Sequence, residues 1–467
     1  MTDYDVLVVG GGTGNNVAAA AADAGLETAL IEEGELGGTC LNRGCNPSKM
    51  LIQAANAVQG VRDAGRFHVD ASLAGVDWPA VVDEMDETLG GIAEGMEADY
   101  RETDTLTLYR DHATFVDDRT VSVGGETVTA DRVVVATGSR PLVPPIEGLD
   151  EVEYLTSREA LYLRDLPDSL VVLGGGYIAV ELGYVFETLG VDVAIVEMMD
   201  SLVPREDEAL AETFTDIARR RHDVYTGHRA TAVEENGGET EEGSDAPAGG
   251  VTVHAETEAG NEVAVSGDEL LVALGRRPNT DDLDVAAAGI ETDDRGFLET
   301  DEYLATTAAN VWALGDVAGN QMFKHSGDYE TRRLIRTVVH DDPTPVDYTA
   351  MPHAIFTEPQ MAGVGETEGA LREAGTEYVV GRQSLPETPM GRAMKLEEGF
   401  VKVLAAPDGE ILGVHVLGHE ASTMIHEAVV AMRTGSGTVD AITDTIHAHP
   451  TLNKAVEYAF QDAAATL

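Results

Sequence analysis

Residues 4–32 read YDVLVVGGGTGNNVAAAAADAGLETALIE. Tyr4-Asp5-Val6-Leu7-Val8-Val9 is a continuous apolar run, the pattern of a strand buried on both faces of a parallel sheet. It enters the glycine turn Gly10-Gly11-Gly12-Thr13-Gly14-Asn15, and an alanine-rich helix is predicted over Val17–Ala24. A second strand, Thr28–Ile31, ends on Glu32. Strand, glycine turn, helix, strand and acid in that order describe a βαβ unit that binds a dinucleotide.

The same order returns in SLVVLGGGYIAVELGYVFETLGVDVAIVE, residues 169–197. Here the turn is Gly174-Gly175-Gly176-Tyr177-Ile178-Ala179, the helix is predicted over Val180–Leu189, and the strand Asp192–Val196 ends on Glu197. The acid follows the first glycine by 22 residues in one copy (Gly10 to Glu32) and by 23 in the other (Gly174 to Glu197). One glycine motif alone is weak evidence; two in full context imply two nucleotide sites. In each, the first glycine (Gly10, Gly174) permits the tight turn, the second (Gly12, Gly176) lets backbone approach a pyrophosphate on the helix N-terminus, and the acid takes ribose hydroxyls. Asn15 and Ala179 hold the third position and are bulkier than glycine, so a slightly looser helix–strand contact is expected.

Between the copies, Asp131–Ala136 reads as a strand running into Thr137-Gly138-Ser139-Arg140-Pro141. A counterpart, Glu269–Leu274, runs into Gly275-Arg276-Arg277-Pro278-Asn279-Thr280, and a further strand turn lies at Val311–Asp316. Glu234–Gly250 reads as a solvated acidic hairpin loop. From about Asp347 alternating strands (Phe400–Leu404, Ile411–Val416) are followed by helices, as in a separate α+β domain. The expected fold class is α/β, with two Rossmann-like dinucleotide-binding domains and a C-terminal α+β dimerisation domain. The expected division is 1–147 and 273–346 for one nucleotide domain, 148–272 for the other, and 347–467 for the interface domain.

Across 467 residues, 30 Lys and Arg stand against 84 Asp and Glu, a net charge of −54. The acids are spread along the chain, which describes a solvated acidic surface suited to a salt-rich cytoplasm, as in halophilic archaea. Such a surface repels nucleic acid and anionic membranes. No apolar run approaches the ~18 residues of a membrane span, and the N-terminus has no basic segment of a secretory signal.

The two cysteines of the chain, Cys40 and Cys45, lie five positions apart in GGTCLNRGCNPSK, residues 37–49. Without export, a structural disulfide framework is not expected, and no further cysteines or clustered histidines complete a metal site. A redox pair fits. On a regular helix their Cα atoms would be roughly 8.6 Å apart, beyond the ~7 Å limit for a disulfide, so a distortion is expected, supplied by Gly44 with Pro47. Pro47 also suits the first turn of the helix that follows, and a helix N-terminus with Lys49 nearby favours a thiolate on Cys45.

With Cys40, Cys45, Pro47, Ser48 and Lys49 forming C-x4-C-x-P-[ST]-K between two dinucleotide motifs, the chain resembles, over nearly its whole length, the class I pyridine nucleotide-disulfide oxidoreductases. That resemblance implies FAD in the first site, NADH or NADPH in the second, and a dithiol–disulfide passing electrons to a small-molecule disulfide. It implies that Cys45 faces the flavin and Cys40 is the interchange thiol, that Lys49 sits by the flavin paired with Glu181, and that Asp316 holds the ribityl chain. Further cofactor contacts are implied at Gly14, Asn15, Gly38, Thr39, Ala113, Thr137, Gly138, His325 and Gly275. His449, in His449-Pro450-Thr451, matches the family's base, which serves the partner's cysteines in a homodimer. The family's glutamate five residues on is Lys454 here, a residue that cannot accept an imidazole N–H; Glu457 is one candidate to replace it, with a backbone carbonyl or a base without a carboxylate as the others.

For the substrate, Asn15, Phe323-Lys324-His325, the acidic composition and CLNRGCNPSKM resemble the bis-γ-glutamylcystine reductases of halophilic archaea. Val196-Glu197-Met198-Met199-Asp200 resembles the NAD-linked dihydrolipoamide dehydrogenases, the alternative. Mycothione- or mercuric-reductase-like activity and a flavin-bound redox sensor rank below both. Glu197 would repel a 2′-phosphate, which favours NADH; Arg205, eight residues on, is the feature that would suit NADPH.

Overall fold

The computed structural model describes residues 2–236 and 249–467. Most of the expected acidic hairpin, 237–248, lies outside the described residues. The chain forms two compact units, Met1–Met50 with Pro79–Leu142 and Gly275–Asp347, and Leu51–Trp78 with Val143–Leu274 and Tyr348–Leu467. Residues 51–78, placed with the first nucleotide segment on sequence grounds, group with the second unit.

In the first unit the strand Thr2–Val9 lies between Thr28–Ile31 and Glu126–Val135, parallel to both, with Val6 opposite Thr28 and Val9 opposite Ile31. Leu106–Tyr109 extends one edge, and Val311–Ala313 also pairs parallel with Glu126–Val135. The hairpin Ala113–Asp117/Thr120–Val123 adds antiparallel to the far side of Glu126–Val135. The apolar run at the start of the chain is explained by two-sided burial. Leu7 and Val9 enter one core with Ala29, Ile31, Val133 and Val135, while Val6 and Val8 enter another with Leu30 and Val134. Successive strand residues point to opposite faces, so a polar residue at any of these positions would be buried unpaired. Each fully buried Val or Leu contributes about 1.5–3 kcal/mol.

The second unit holds an all-parallel sheet in the order Asp223–Tyr225, Asp192–Val196, Ser169–Leu173, Glu269–Val272. An antiparallel sheet of Arg229–Glu235, Val251–Glu256 and Glu262–Gly267 accompanies it. The C-terminal part forms a five-stranded antiparallel sheet in the order Pro352–Ile355, Gln360–Gly365, Ile411–Gly418, Phe400–Ala405, Val379–Ser384. Helices Ala421–Arg433 and Asn453–Ala464 share its core, with Met424, Ile425, Val456 and Phe460 packed among Val401, Val403, Val414 and Val416.

The element boundaries differ from the expected ones in instructive ways. The helices after the glycine turns begin earlier, at Asn15 and Tyr177, because the turn residues enter the first helical turn. The strand expected from Asp131 begins at Glu126, where antiparallel pairing with Thr120–Val123 prolongs it.

Candidate active site

The two glycine turns have the same construction. Gly10 (φ +109°) and Gly174 (φ +103°) take backbone conformations that favour glycine, and a Cβ would fall 2.3 Å from the Ala136 carbonyl oxygen in one and 2.5 Å from that of Ala273 in the other. In the first turn the amide of Gly11 donates to Glu32 (2.6 Å), and Gly34 donates to the other carboxylate oxygen (2.7 Å). In the second, Gly175 donates to Glu197 (2.5 Å) and Met199 to its other oxygen (2.7 Å). Each acid is thus anchored at its strand end beside its turn.

Asn15 does not set the helix–strand spacing in the first motif. Gly14 does: its Cβ would fall 2.6 Å from Ala136 Cβ and 2.7 Å from the Gly10 oxygen, so the contact is tight, and buried Asn15 opens the helix. In the second motif fully buried Ala179 lies in the first helical turn. Neither helix start has a side-chain cap, and the amides of Gly12, Thr13 and Gly14 donate to no acceptor among the described residues. Uncapped amides at a helix N-terminus are the donors that a pyrophosphate uses. Gly38 (φ +59°) comes so close to Gly12 that a Cβ would lie 2.6 Å from its Cα. That crossing seats the cysteine helix against the first turn.

Cys40 lies on the short helix Gly38–Asn42, and Cys45 opens the helix Cys45–Asp63. The break expected between them falls at Arg43 (φ −147°) and Gly44, whose added Cβ would sit 2.9 Å from the Thr39 oxygen. Pro47 breaks nothing; it sits in the first turn of the second helix, where a missing N–H costs no bond. Both cysteines are free thiols, Cys40 half-buried and Cys45 exposed. A hydrogen bond with Cys45, then burial, then the charge of Cys45 push the Cys40 thiol far up, and Lys324 opposes this only in part. Cys40 also approaches the Asn46 side-chain oxygen at 3.8 Å. Lys324 pairs with Asp328, and His325 stacks on Phe323 with centroids 5.4 Å apart. Lys49 donates to Ser48 Oγ at 3.3 Å.

Asp316 lies in the turn Gly315–Val317 after the strand Val311–Ala313. Ser139 Oγ donates to it (2.5 Å), and Arg276 donates through Nε to Ser139 Oγ (2.8 Å) and through Nη2 to the Ser139 carbonyl (2.7 Å). Thr137 and Gly138 are locked by Asn279, which donates to the Thr137 oxygen (2.8 Å) and, through its amide, to that of Gly138 (3.0 Å). Sequence reasoning named Asp316 and missed Arg276. The signal was the arginine pair after Gly275. Ala113 is buried at the start of its strand.

In the second unit Glu181 is buried on the helix Tyr177–Thr188 and accepts from the Phe356 amide (2.9 Å). His449 is exposed in the segment before the helix Asn453–Ala464, and no hydrogen bond or ion pair joins it to any described residue. Glu457 does not reach it. That carboxylate pairs with Lys454, accepts from Gln461 (3.1 Å) and lies 3.4 Å from His447 Nδ1. The i, i+3 lysine captures the acid that was one of the three candidates to orient the base. His447, which the sequence analysis passed over, is instead the carboxylate-bound histidine, paired with Glu427.

A family model described as pyridine nucleotide-disulphide oxidoreductase matches residues 4–340, and its dimerisation domain matches residues 351–460. The chain belongs to this family. It is 37% identical to dihydrolipoyl dehydrogenase 2 of Haloarcula marismortui, over 98% of this chain and 96% of that one. It is 33% identical to mycothione reductase of Mycobacterium tuberculosis, over 98% and 99%. Among solved structures, the Cu(II) complex of the HOCl-induced flavoprotein disulfide reductase RclA from Escherichia coli superposes with a TM-score of 0.86 at 27% identity, covering 99% of both chains.

As a member of this pyridine nucleotide-disulfide oxidoreductase family, the protein is an FAD-dependent oxidoreductase that uses NAD(P)H. The two anchored acids, the uncapped helix starts and Asp316 fit those nucleotides. Among the described residues no group of His, Cys, Asp and Glu is arranged to hold a metal ion, and no helix is long and apolar enough to cross a membrane.

Proposed function

We propose that the protein reduces a low-molecular-weight disulfide, bis-γ-glutamylcystine, at the expense of NADH, working as a cytoplasmic homodimer in a salt-rich cell. The observation that carries the reading is the placement of the two free thiols, Cys40 on the short helix Gly38–Asn42 and Cys45 at the first position of the next helix, on either side of the break at Arg43 and Gly44.

Bound FAD supplies hydride acceptance from the nicotinamide and delivery of the electron pair to the Cys40–Cys45 disulfide. The rest is thiol exchange by the protein's own groups. His449 of the partner subunit takes the Cys40 proton. The Cys40 sulfur then attacks R–S–S–R, forming a Cys40–S–S–R bond as RS⁻ leaves and is protonated by the imidazolium. Cys45 thiolate attacks the Cys40 sulfur, the second RS⁻ leaves and takes a proton from water, and the internal disulfide re-forms. The balance is NADH + H⁺ + RSSR → NAD⁺ + 2 RSH. A base is needed because the thiolate and not the thiol attacks a disulfide, and the exposed imidazole of His449, bonded to no described residue, suits that work.

A second reading, NAD-linked oxidation of dihydrolipoamide by the same groups in reverse, is supported by the name of the Haloarcula relative. Purified protein at molar salt, assayed with each nicotinamide against bis-γ-glutamylcystine and then with dihydrolipoamide plus NAD⁺, decides between them. NADH-dependent reduction of the disulfide is expected. Robust dihydrolipoamide turnover without it would replace the first reading by the second.

A further inference from the structure

The segment that carries His449 is held in an unusual way. It joins the helix Asp440–Thr443 to the helix Asn453–Ala464, and the amides of Ile446, His447, Ala448 and His449 donate no hydrogen bond within the described residues. Ile446 is 98% exposed. Between residues 446 and 449 the one backbone carbonyl bonded within the described residues is that of Ala448, which accepts from Thr451 Oγ1 at 3.0 Å. A segment so loosely bonded would leave the imidazole of His449 free to wander.

One side chain opposes this. The ring of His447 is 5% exposed. Its Nε2 is hydrogen-bonded to Glu427 on the helix Ala421–Arg433, and its Nδ1 lies 3.0 Å from the Thr445 carbonyl oxygen and 3.4 Å from Glu457 on the helix Asn453–Ala464. Both carboxylates are themselves held. Asn453 donates to the second oxygen of Glu427 (2.9 Å), while Lys454 and Gln461 donate to Glu457. Lys454 also lies over the Tyr458 ring, 5.0 Å from its centroid, on the same helix as its acid.

We propose that His447, clamped by Glu427 and Glu457, is the positioning residue for the base His449, fixing the exposed imidazole through the two-residue link of the backbone. This inference rests on the proposed role of His449 and adds to it a support that does not touch the reacting atoms. With no acceptor for the His449 ring among the described residues, orientation comes from where its backbone is pinned. Misplacing a catalytic group by about 1 Å can cost up to ~100-fold in rate.

Half-reactions separate the possibilities, because a proton carrier for thiol exchange has no part in reduction of the flavin by NADH. In stopped flow with the holoenzyme, His447→Ala is expected to slow reoxidation of the dithiol by substrate disulfide about tenfold and to leave the NADH half-reaction within about twofold. Glu427→Ala is expected to do the same, and Glu427→Gln, which keeps an acceptor oxygen for the ring, to recover most of the loss. Equal slowing of both half-reactions, or no slowing of either, overturns the proposal. Should His447→Ala fold poorly, the Glu427 pair carries the test alone. His449→Ala is the reference: if it leaves reoxidation untouched, the base assignment fails, whereas a slow His449→Ala beside a normal His447→Ala sinks only the positioning role.

Discussion

Glu197 accepts a 2.5 Å hydrogen bond from the amide of Gly175, so the acid at the end of one strand is tied to the turn at the end of its neighbour. Its second oxygen takes the Met199 amide, which leaves the carboxylate no freedom to swing aside. A fixed negative charge there suits ribose hydroxyls and repels a 2′-phosphate. Glu197→Gln is expected to lower the NADH-over-NADPH ratio of kcat/KM about tenfold, a change of ~1.4 kcal/mol. Steady-state kinetics with both nicotinamides check this; an unchanged ratio would show that the preference is set elsewhere.

Serine at Cys40 and serine at Cys45 have different spectral consequences under the proposed roles. Both variants are expected to lose disulfide turnover by at least about a thousandfold, since no second thiol remains to resolve the mixed disulfide. Only Cys45→Ser should remove the long-wavelength absorbance that a thiolate gives beside an oxidised flavin. Anaerobic titration with dithionite reads it, and loss of the band in Cys40→Ser instead would exchange the two roles.

How much of this was legible in the sequence follows from the range of the interactions. The strands, turns and acids of both nucleotide units are local patterns of burial and backbone geometry, so Gly10, Glu32, Gly174 and Glu197 could be read directly. The break between Cys40 and Cys45 was legible as a geometric necessity, although its place at Arg43 and Gly44 rather than Pro47 depended on how two helices meet. Relations across long stretches were not legible. Arg276 reaches Ser139 across 137 residues, and Glu427 reaches His447 across 20. Which of the three alternatives orients His449 was not legible, because the pairing of Glu457 with Lys454 and His447 depends on how its helix meets the segment before it.

Lys402 is buried at 3% exposure with Asp207 at 0%, and it donates to both Asp207 oxygens (2.7 and 2.9 Å) while pairing with Glu368 at 2.6 Å. Burial alone would raise the Asp207 carboxyl, but His415, the Lys402 hydrogen bond and the Glu368 amide hold it below the ordinary carboxylate range. The Lys402 hydrogen bond likewise holds Glu368 down. Burial pushes the His415 imidazole down. For all three groups the unfolded chain binds protons first as pH falls. Their stabilisation is therefore present above the unfolded values, about 6.5 for histidine and about 4 for the carboxyls, and is lost as pH drops through the lower folded ones. Melting temperature should fall as pH is lowered through 6 towards 4. Lys402→Met, which leaves Asp207 charged and buried without its partner, should cost about 3–5 kcal/mol at neutral pH. A variant as stable as the parent in denaturant titration would show that the cluster is not holding the unit together.

Arg276 gives the last prediction, on flavin retention. We propose Asp316 as the acceptor for the flavin's ribityl chain, the role the family resemblance implies, and an acceptor is useful only if its lone pairs point at the ligand. Ser139 binds Asp316 Oδ2 and is itself bound by the guanidinium through both its hydroxyl and its carbonyl. Arg276 Nε also lies 3.7 Å from Asp316 Oδ2, so its charge attracts the carboxylate directly. The guanidinium side chain is only 11% exposed, which limits solvent screening. Replacing it with glutamine removes the charge and one leg of the fork, and a freed Asp316 side chain must be ordered again by the ligand. Arg276→Gln is therefore expected to weaken FAD binding about tenfold, and Asp316→Ala about a hundredfold, each factor of ten being ~1.4 kcal/mol. Titration of apoprotein by flavin fluorescence quenching measures both. Arg276→Lys should fall between parent and Arg276→Gln, because a point charge keeps the attraction and loses the bidentate geometry. If Arg276→Gln binds FAD as tightly as the parent while Asp316→Ala does not, Ser139 alone suffices to aim the acid.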